Sequence, residues 1–280
     1  MTNIETHQVQ KVDRTLGQEA EPQRVYAYLA PRGNFTHLAM LDMLTRPEPE
    51  GAILLGVGSI DEMFESVASG KATHALIPIE NSTDGPVPKS HKNLFDREVQ
   101  IIGEESMPII PSVYFQDQAS VRKVASKDSA LGQCRLHIID QFAGNMGQEE
   151  LIELIEMEST GDAVALAAKD PTVAGIGSSI SAREQGLDNL LQIDNFNDRD
   201  LNATTFALIQ RPSELPAPTG NDKTTFIMII EDSKGKLVDA LSVMAARGVD
   251  LNKIISINKT PDSVSFLVSV DGHELDGITG

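Results

Sequence analysis

The chain has a single cysteine, Cys134, so no internal disulfide framework can brace it, which fits a reducing compartment and an expected cytoplasmic location. Basic residues are scarce: 23 stand against 41 acidic ones, for a net charge of -18. That balance argues against nucleic acid or an anionic membrane as partner, since both require a positive surface. Long apolar runs are missing as well. The longest, such as Ile227–Ile230, fall far short of the roughly 20 residues of a membrane-spanning helix. Met1 to Gln23 has no apolar stretch of the kind a secretory signal carries, and residues 1–23 read as a polar, disordered leader. No repeat at a fixed period is visible. His37, His74, His91 and His137 lack HExxH-like or paired spacing, so no metal site is expected. There is no P-loop and no GxGxxG, and the "GVG" of Gly56–Gly58 is too short to count; no organic cofactor is expected.

What is present is a globular α/β pattern. Residues 24–29, "RVYAYL", alternate as a strand does, and Thr36–Leu44 has helical apolar spacing after a Pro31–Gly33–Asn34 turn. Ile53–Val57 is a strand, and Ser59 with Glu62 three residues on and Gly70 beyond predicts a capped helix. "HALIPIENS" is a buried strand running into a loop. A second α/β stretch follows: the strand "SVYF", a helix near "ALGQCRLHIID", the helix "STGDAVALAAKD", and a strand, turn and helix in "VAGIGSSISAREQGL". "NATTFALIQ" then reads as a strand returning to the first lobe. Residues 211–221 are Pro-rich and polar, a linker. Beyond them a β-α-β-β run, with Leu237, Leu241 and Met244 on one helix face, matches the front of a ferredoxin-like unit that stops short of its second helix and last strand. It is expected to be truncated, or to pair with a second copy.

Several loops carry chemistry. Asn81, Ser82 and Thr83 place amide and hydroxyl groups at a strand's C-terminal end, where open α/β sheets bind ligands. Ser159 and Thr160 open a helix, as do Ser178 and Ser179, and helix N-termini favour anions. Thr204 and Thr205 stand at the start of a strand. Together they read as a cleft holding a small anion. Each also has a plain reading: Ser and Thr before helices are usually caps, "PIENS" is equally an Asx turn, and Cys134 without an identifiable base is a buried structural thiol.

In order, "YLAPRGNFTHLAM", "IPIENSTDGPV", "SKDSALGQC", "EST", "AGIGSS", "NATTF" and "DKTTF" through "DLNKI" resemble the prephenate dehydratases from Arg24 to about Gly272. The resemblance implies a two-lobed catalytic unit like a periplasmic binding protein, residues 24–210, with lobe 1 at 24–105 and 195–210 and lobe 2 at 106–194. It implies a C-terminal ferredoxin-like (ACT) α+β domain at 222–280 and a homo-dimer or homo-tetramer. The family's essential threonine falls on Thr204; its other site positions fall on Glu80, Asn81, Ser82, Gln133, Ser159, Thr160, Ser178, Ser179 and Phe206. The family's arginine after the threonine is Thr205 here, and its Ser-His-Pro turn is Ser126–Asp128, where Lys127 offers a replacement charge. The effector motifs of the ACT domain are "GKL" and "ISIN", at Gly235–Leu237 and Ile255–Asn258, which implies that phenylalanine feedback is lost.

These departures lead to a specific expectation. The chain is read as a non-aromatising prephenate decarboxylase of specialised metabolism, such as antibiotic biosynthesis, with Thr204, Thr160 and Ser82 catalytic. The alternatives are prephenate dehydratase, in phenylalanine biosynthesis, and a non-catalytic protein that senses a small acid.

Overall fold

The computed structural model describes residues 23–44, 52–143, 152–198, 202–214 and 217–274, so the leader read into residues 1–23 lies, but for Gln23, outside the described residues. The chain starts with β1 (Val25–Leu29), α1 (Phe35–Leu44), β2 (Ile53–Val57), α2 (Ile60–Ala68), β3 (His74–Asn81), β4 (Gly85–Pro86), α3 (Pro88–Asp96) and β5 (Gln100–Pro108). Local chemistry sets the helix starts. The Asn34 side chain accepts from the His37 N–H and so caps α1. Ser59 does the same for α2 through the Glu62 N–H, and Gly70 closes that helix at φ +78.

The middle of the chain builds a second sheet from β6 (Pro111–Phe115), β7 (Lys123–Ser126), α4 (Asp128–Gln133), α5 (Arg135–Phe142), β8 (Glu153–Glu156), α6 (Thr160–Ala167), β9 (Val173–Ser178), α7 (Ser181–Gln185) and β10 (Leu191–Ile193). The helix expected through "ALGQCRLHIID" is in fact two. The break falls at Cys134, because α5 starts afresh: the distant Asp198 carboxylate accepts from the Leu136 and His137 N–H groups at its first turn.

β11 (Ala203–Gln210) then rejoins the first sheet, whose order is β2-β1-β3-β11-β5 with β4 on β3; the second runs β10-β6-β9-β7-β8. The chain therefore crosses between the sheets twice, after β5 and before β11. Each sheet has its own apolar core. Val113, Phe115, Ile138, Phe142 and Phe196 fill the second. The first has one core on each face, around Phe64 and Ile77 and around Tyr26 and Phe206. A third, smaller sheet, β12-β14-β13, is made by β12 (Lys223–Glu231), β13 (Leu251–Lys259) and β14 (Ser263–Asp271), with α8 (Lys236–Ala246) against it. Leu237, Leu241 and Met244 are half-buried there while Val238 and Val243 are exposed, the face the spacing predicts.

Candidate active site

The end of β3 is irregular. Along β11, Thr204 faces Asn81 and Thr205 faces Glu80, but Phe206 already faces Pro78, so Ile79 is passed over in a bulge. Cross-strand partners share a face. Asn81 and Thr204 therefore project to one side of the sheet, with Met107, and Glu80, Thr205 and Ser106 to the other.

On the first side a hydrogen-bonded network spans the two sheets. The Asn81 side-chain oxygen accepts from the Thr83 and Asp84 N–H groups at 2.9 and 3.0 Å. This Asx turn fixes the amide's orientation, so the Asn81 NH2 must point the other way. It donates to Thr204 Oγ1 at 3.0 Å and to Asn202 Oδ1 at 2.8 Å. Asn202 in turn donates to Gln133 Oε1 at 2.6 Å, at the end of α4 in the second sheet. Because Thr204 accepts from Asn81, its own hydroxyl hydrogen is directed elsewhere, and Thr204 is only half-buried. The site thus presents a held O–H donor where the sheets meet. Ser82 sits beside it: its Oγ accepts from the Ala203 N–H at 2.9 Å and its N–H donates to the Ala203 carbonyl.

A second contact lies at the Pro31–Asn34 turn. The Gly33 carbonyl accepts from the hydroxyls of both Ser178 and Ser181, which are fully buried. Thr160, 6% exposed, belongs to this zone: a Cβ on its neighbour Gly161 would lie 2.7 Å from the Pro31 ring. The Gly33 N–H donates to His37 Nδ1, so the proton of the neutral His37 ring is on Nε2, which is buried and has no acceptor among the described residues.

Of the residues singled out from sequence, the structure brings Asn81, Thr204, Ser82 and Gln133 together. Several others need correction. Ser126 is fully buried and donates to the Ile176 carbonyl, and Ser178 is committed to Gly33; neither offers a hydroxyl to a ligand. Phe206 is 2% exposed and packs in the core with Tyr26 and Leu76. Ser159 is the cap of α6, accepting from the Asp162 N–H and donating to its carboxylate. The bulge turns Glu80 to the far face, onto Lys253, and ordinary strand alternation places Thr205 there too, its Oγ1 3.4 Å from Ser106 Oγ. Lys127 and Ser179 are exposed. Cys134 is buried, and burial, with Asp198 beside it, pushes its thiol up to about 12, so it is no nucleophile near neutral pH. Sequence reasoning passed over Asn202, the joint between Asn81 and Gln133. Its only signal was an Asn opening the strand that holds Thr204.

Two buried histidines give the fold a pH dependence. His37 and His91 are both held below the ordinary imidazole value, chiefly by burial; Lys253 pushes His91 the same way and Glu80 opposes it. The unfolded chain then binds protons that the folded chain refuses. Stability is complete above the unfolded imidazole value of about 6.5 and falls as pH drops below it. Melting curves at decreasing pH are expected to show this loss, and His91→Gln to flatten it. An unchanged melting temperature across that window contradicts the assignment.

Two α/β sheets joined by two crossovers, with a polar network at the joint, define a mixed α/β protein of periplasmic-binding-like architecture. The sequence profile of prephenate dehydratase matches residues 26–214, and the chain belongs to the prephenate dehydratase family. It is 31% identical over 265 residues to a prephenate dehydratase of Mycobacterium leprae, covering 90% of this chain and 79% of that one. It is 29% identical to a bifunctional chorismate mutase/prephenate dehydratase of Aquifex aeolicus over 89% of its length, and spans 66% of that longer protein. The solved prephenate dehydratase of Arthrobacter aurescens, in complex with L-Phe, superposes with a TM-score of 0.76 at 28% identity, covering 89% of this chain and 81% of the other.

Proposed function

We propose that this chain is a lyase acting on prephenate, and that its reaction is that of its relatives: prephenate to phenylpyruvate, water and CO2. The observation that carries this reading is the Asn81–Thr204 pair, which holds a hydroxyl whose hydrogen has no acceptor among the described residues at the joint between the sheets. The names of the relatives favour this reaction over the decarboxylation without aromatisation expected from the sequence. In the same reading the first two sheets are the lobes of the catalytic unit, residues 211–221 its linker, and the third sheet with α8 an ACT-like domain. Its oligomeric state is taken from the family.

The chemistry asks little of the protein beyond placement. The ring carboxylate leaves as CO2, and its electron pair moves through the diene toward the carbon bearing the hydroxyl. A donor at that oxygen lets the C–O bond break, water departs, and the ring becomes aromatic. Thr204 is the group we assign there, oriented by Asn81; Asn202 and Gln133 fix the joint. Holding the substrate and excluding water supply the rest. The one proton that turns the leaving hydroxyl into water passes through Thr204 and is replaced from solvent, and no redox partner is needed.

A second reading, decarboxylation without aromatisation, is favoured chiefly by Thr205, which stands where the family resemblance leads to arginine. If no donor meets the oxygen, a proton on ring carbon traps the electron pair and the hydroxyl is kept. Strand alternation weakens that case, since Thr205 shares a face with Glu80 and Ser106 and not with Thr204. Thr205→Arg is accordingly expected to leave the product unchanged; a shift toward phenylpyruvate would restore the decarboxylase reading. Purified protein given prephenate, followed by ultraviolet absorbance and mass, tests both. Phenylpyruvate formed above the spontaneous acid-catalysed rate is the expected result. A product at the mass of prephenate less CO2 selects the second reading, and unconsumed prephenate defeats both.

A further inference from the structure

The face of the first sheet opposite Thr204 meets the third sheet, and the contact is made by the residue next to Asn81. The bulge at Ile79 turns the Glu80 carboxylate onto the ammonium of Lys253, on β13. Both side chains are about a third exposed, at 32% each. α3 packs against β13 and braces the same strand: the Ser90 hydroxyl donates to the Pro78 carbonyl at 2.6 Å, one residue before the bulge. His91, buried beside Lys253 and Glu80, lines the small gap left between these elements. A second ion pair, Lys223 with Glu104 at 3.2 Å, ties β12 to β5, the strand on the other side of β11. Both neighbours of the strand carrying Thr204 are thus anchored to the third sheet by lysine–glutamate pairs.

A bulged strand end has fewer ladder hydrogen bonds to fix it than a regular one. Asn81 can turn its NH2 toward Thr204 only while the backbone of residues 79–81 keeps this irregular path. We infer that Lys253 is a positioning residue for the site: by holding Glu80 on the far face it keeps Asn81, and through it Thr204, in register on the near face. The third sheet is in this account part of the support of the active site. The inference rests on the assignment of Asn81 and Thr204 to the reaction, but its structural half does not depend on prephenate being the substrate.

The test uses the full chain and four variants: Lys253→Met, which keeps the aliphatic stem, Lys253→Arg, Glu80→Gln, and the reversed pair Glu80→Lys with Lys253→Glu. Two readouts are taken, prephenate turnover and hydrogen exchange at the Thr83 and Asp84 amides, whose N–H groups bond to the Asn81 side chain. Lys253→Met is expected to speed exchange at both amides and to lower kcat about tenfold, with KM nearly unchanged, as a small misplacement of a reacting group does. Lys253→Arg should stay near the parent. Glu80→Gln should reproduce Lys253→Met, and the reversed pair should recover part of the loss. If Lys253→Met does not fold, Glu80→Gln decides. Unaltered exchange at Thr83 and Asp84 in a folded variant overturns the inference, whatever happens to turnover. Faster exchange in a protein whose parent leaves prephenate untouched supports the positioning role and defeats the substrate assignment instead.

Discussion

Replacing Thr204 by valine is expected to lower prephenate turnover by about 10²–10³-fold, the range found when one preorganised donor to a developing charge is removed. The substitution is nearly isosteric, and the hydroxyl it deletes is only half-buried. The Asn81 NH2 keeps its bond to Asn202, so little of the network is stranded without a partner. The melting temperature should therefore move by only a few degrees, and the loss should appear mainly in kcat. A steady-state comparison of the parent and Thr204→Val, with melting curves, checks both halves. A variant that turns over normally removes Thr204 from the chemistry. One that merely melts early gives the threonine a structural role instead.

The second large effect falls on stability. Gly175 is in the middle of β9, where α6 lies directly on the strand: a Cβ there would be 2.3 Å from the Ala163 carbonyl oxygen and 2.8 Å from the Val164 Cα. Those atoms are backbone, so no side chain can swing aside. Gly175→Ala must push α6 away from the second sheet and open its packing around Ala163, Ala125 and Val173. Overpacking of this kind costs about 3 kcal/mol, which for this size lowers the melting temperature by roughly 6–12 °C. Thermal unfolding followed by circular dichroism measures it. An alanine accommodated without loss would mean that α6 is not held this close to the sheet.

Much of this architecture was open to sequence reasoning for physical reasons. Strands such as "RVYAYL" and "NATTFALIQ" announce themselves by period, and Ser59, Ser159 and Gly186 sit where caps must. What period and capping cannot carry is side-chain direction at an irregularity. The one-residue bulge in β3 reverses the face Glu80 would otherwise take, and Thr205, the next residue after Thr204 in a regular strand, falls on that same far face, so neither is on the site's face. Burial was equally hidden for Ser126 and Ser178. A hydroxyl at a strand end looks the same in sequence whether it meets a ligand, a carbonyl of the neighbouring strand, as Ser126 does, or one from the other sheet's turn, as Ser178 does. The helix break at Cys134 depends on Asp198, 62 residues from the Leu136 amide it caps, and no local pattern contains that information. The decarboxylase expectation drew on Thr205, on the altered Ser126–Asp128 turn and on the altered effector motifs; at the first of these, strand alternation was overlooked. It treated two adjacent threonines as one surface.

The account stands on the claim that prephenate is held where Asn81, Asn202 and Gln133 bridge the two sheets. Nuclear magnetic resonance of the side-chain amides during titration with prephenate addresses it directly. The NH2 resonances of these three residues are expected to shift together and to saturate at one ligand concentration, and those of Asn202 and Gln133 to stay in place when a Thr204→Val, Asn81→Ala double variant is titrated. Shifts confined to the side-chain amides of Gln100 and Asn221, in the cavity between β5 and β12, with all three amides unmoved, would contradict it.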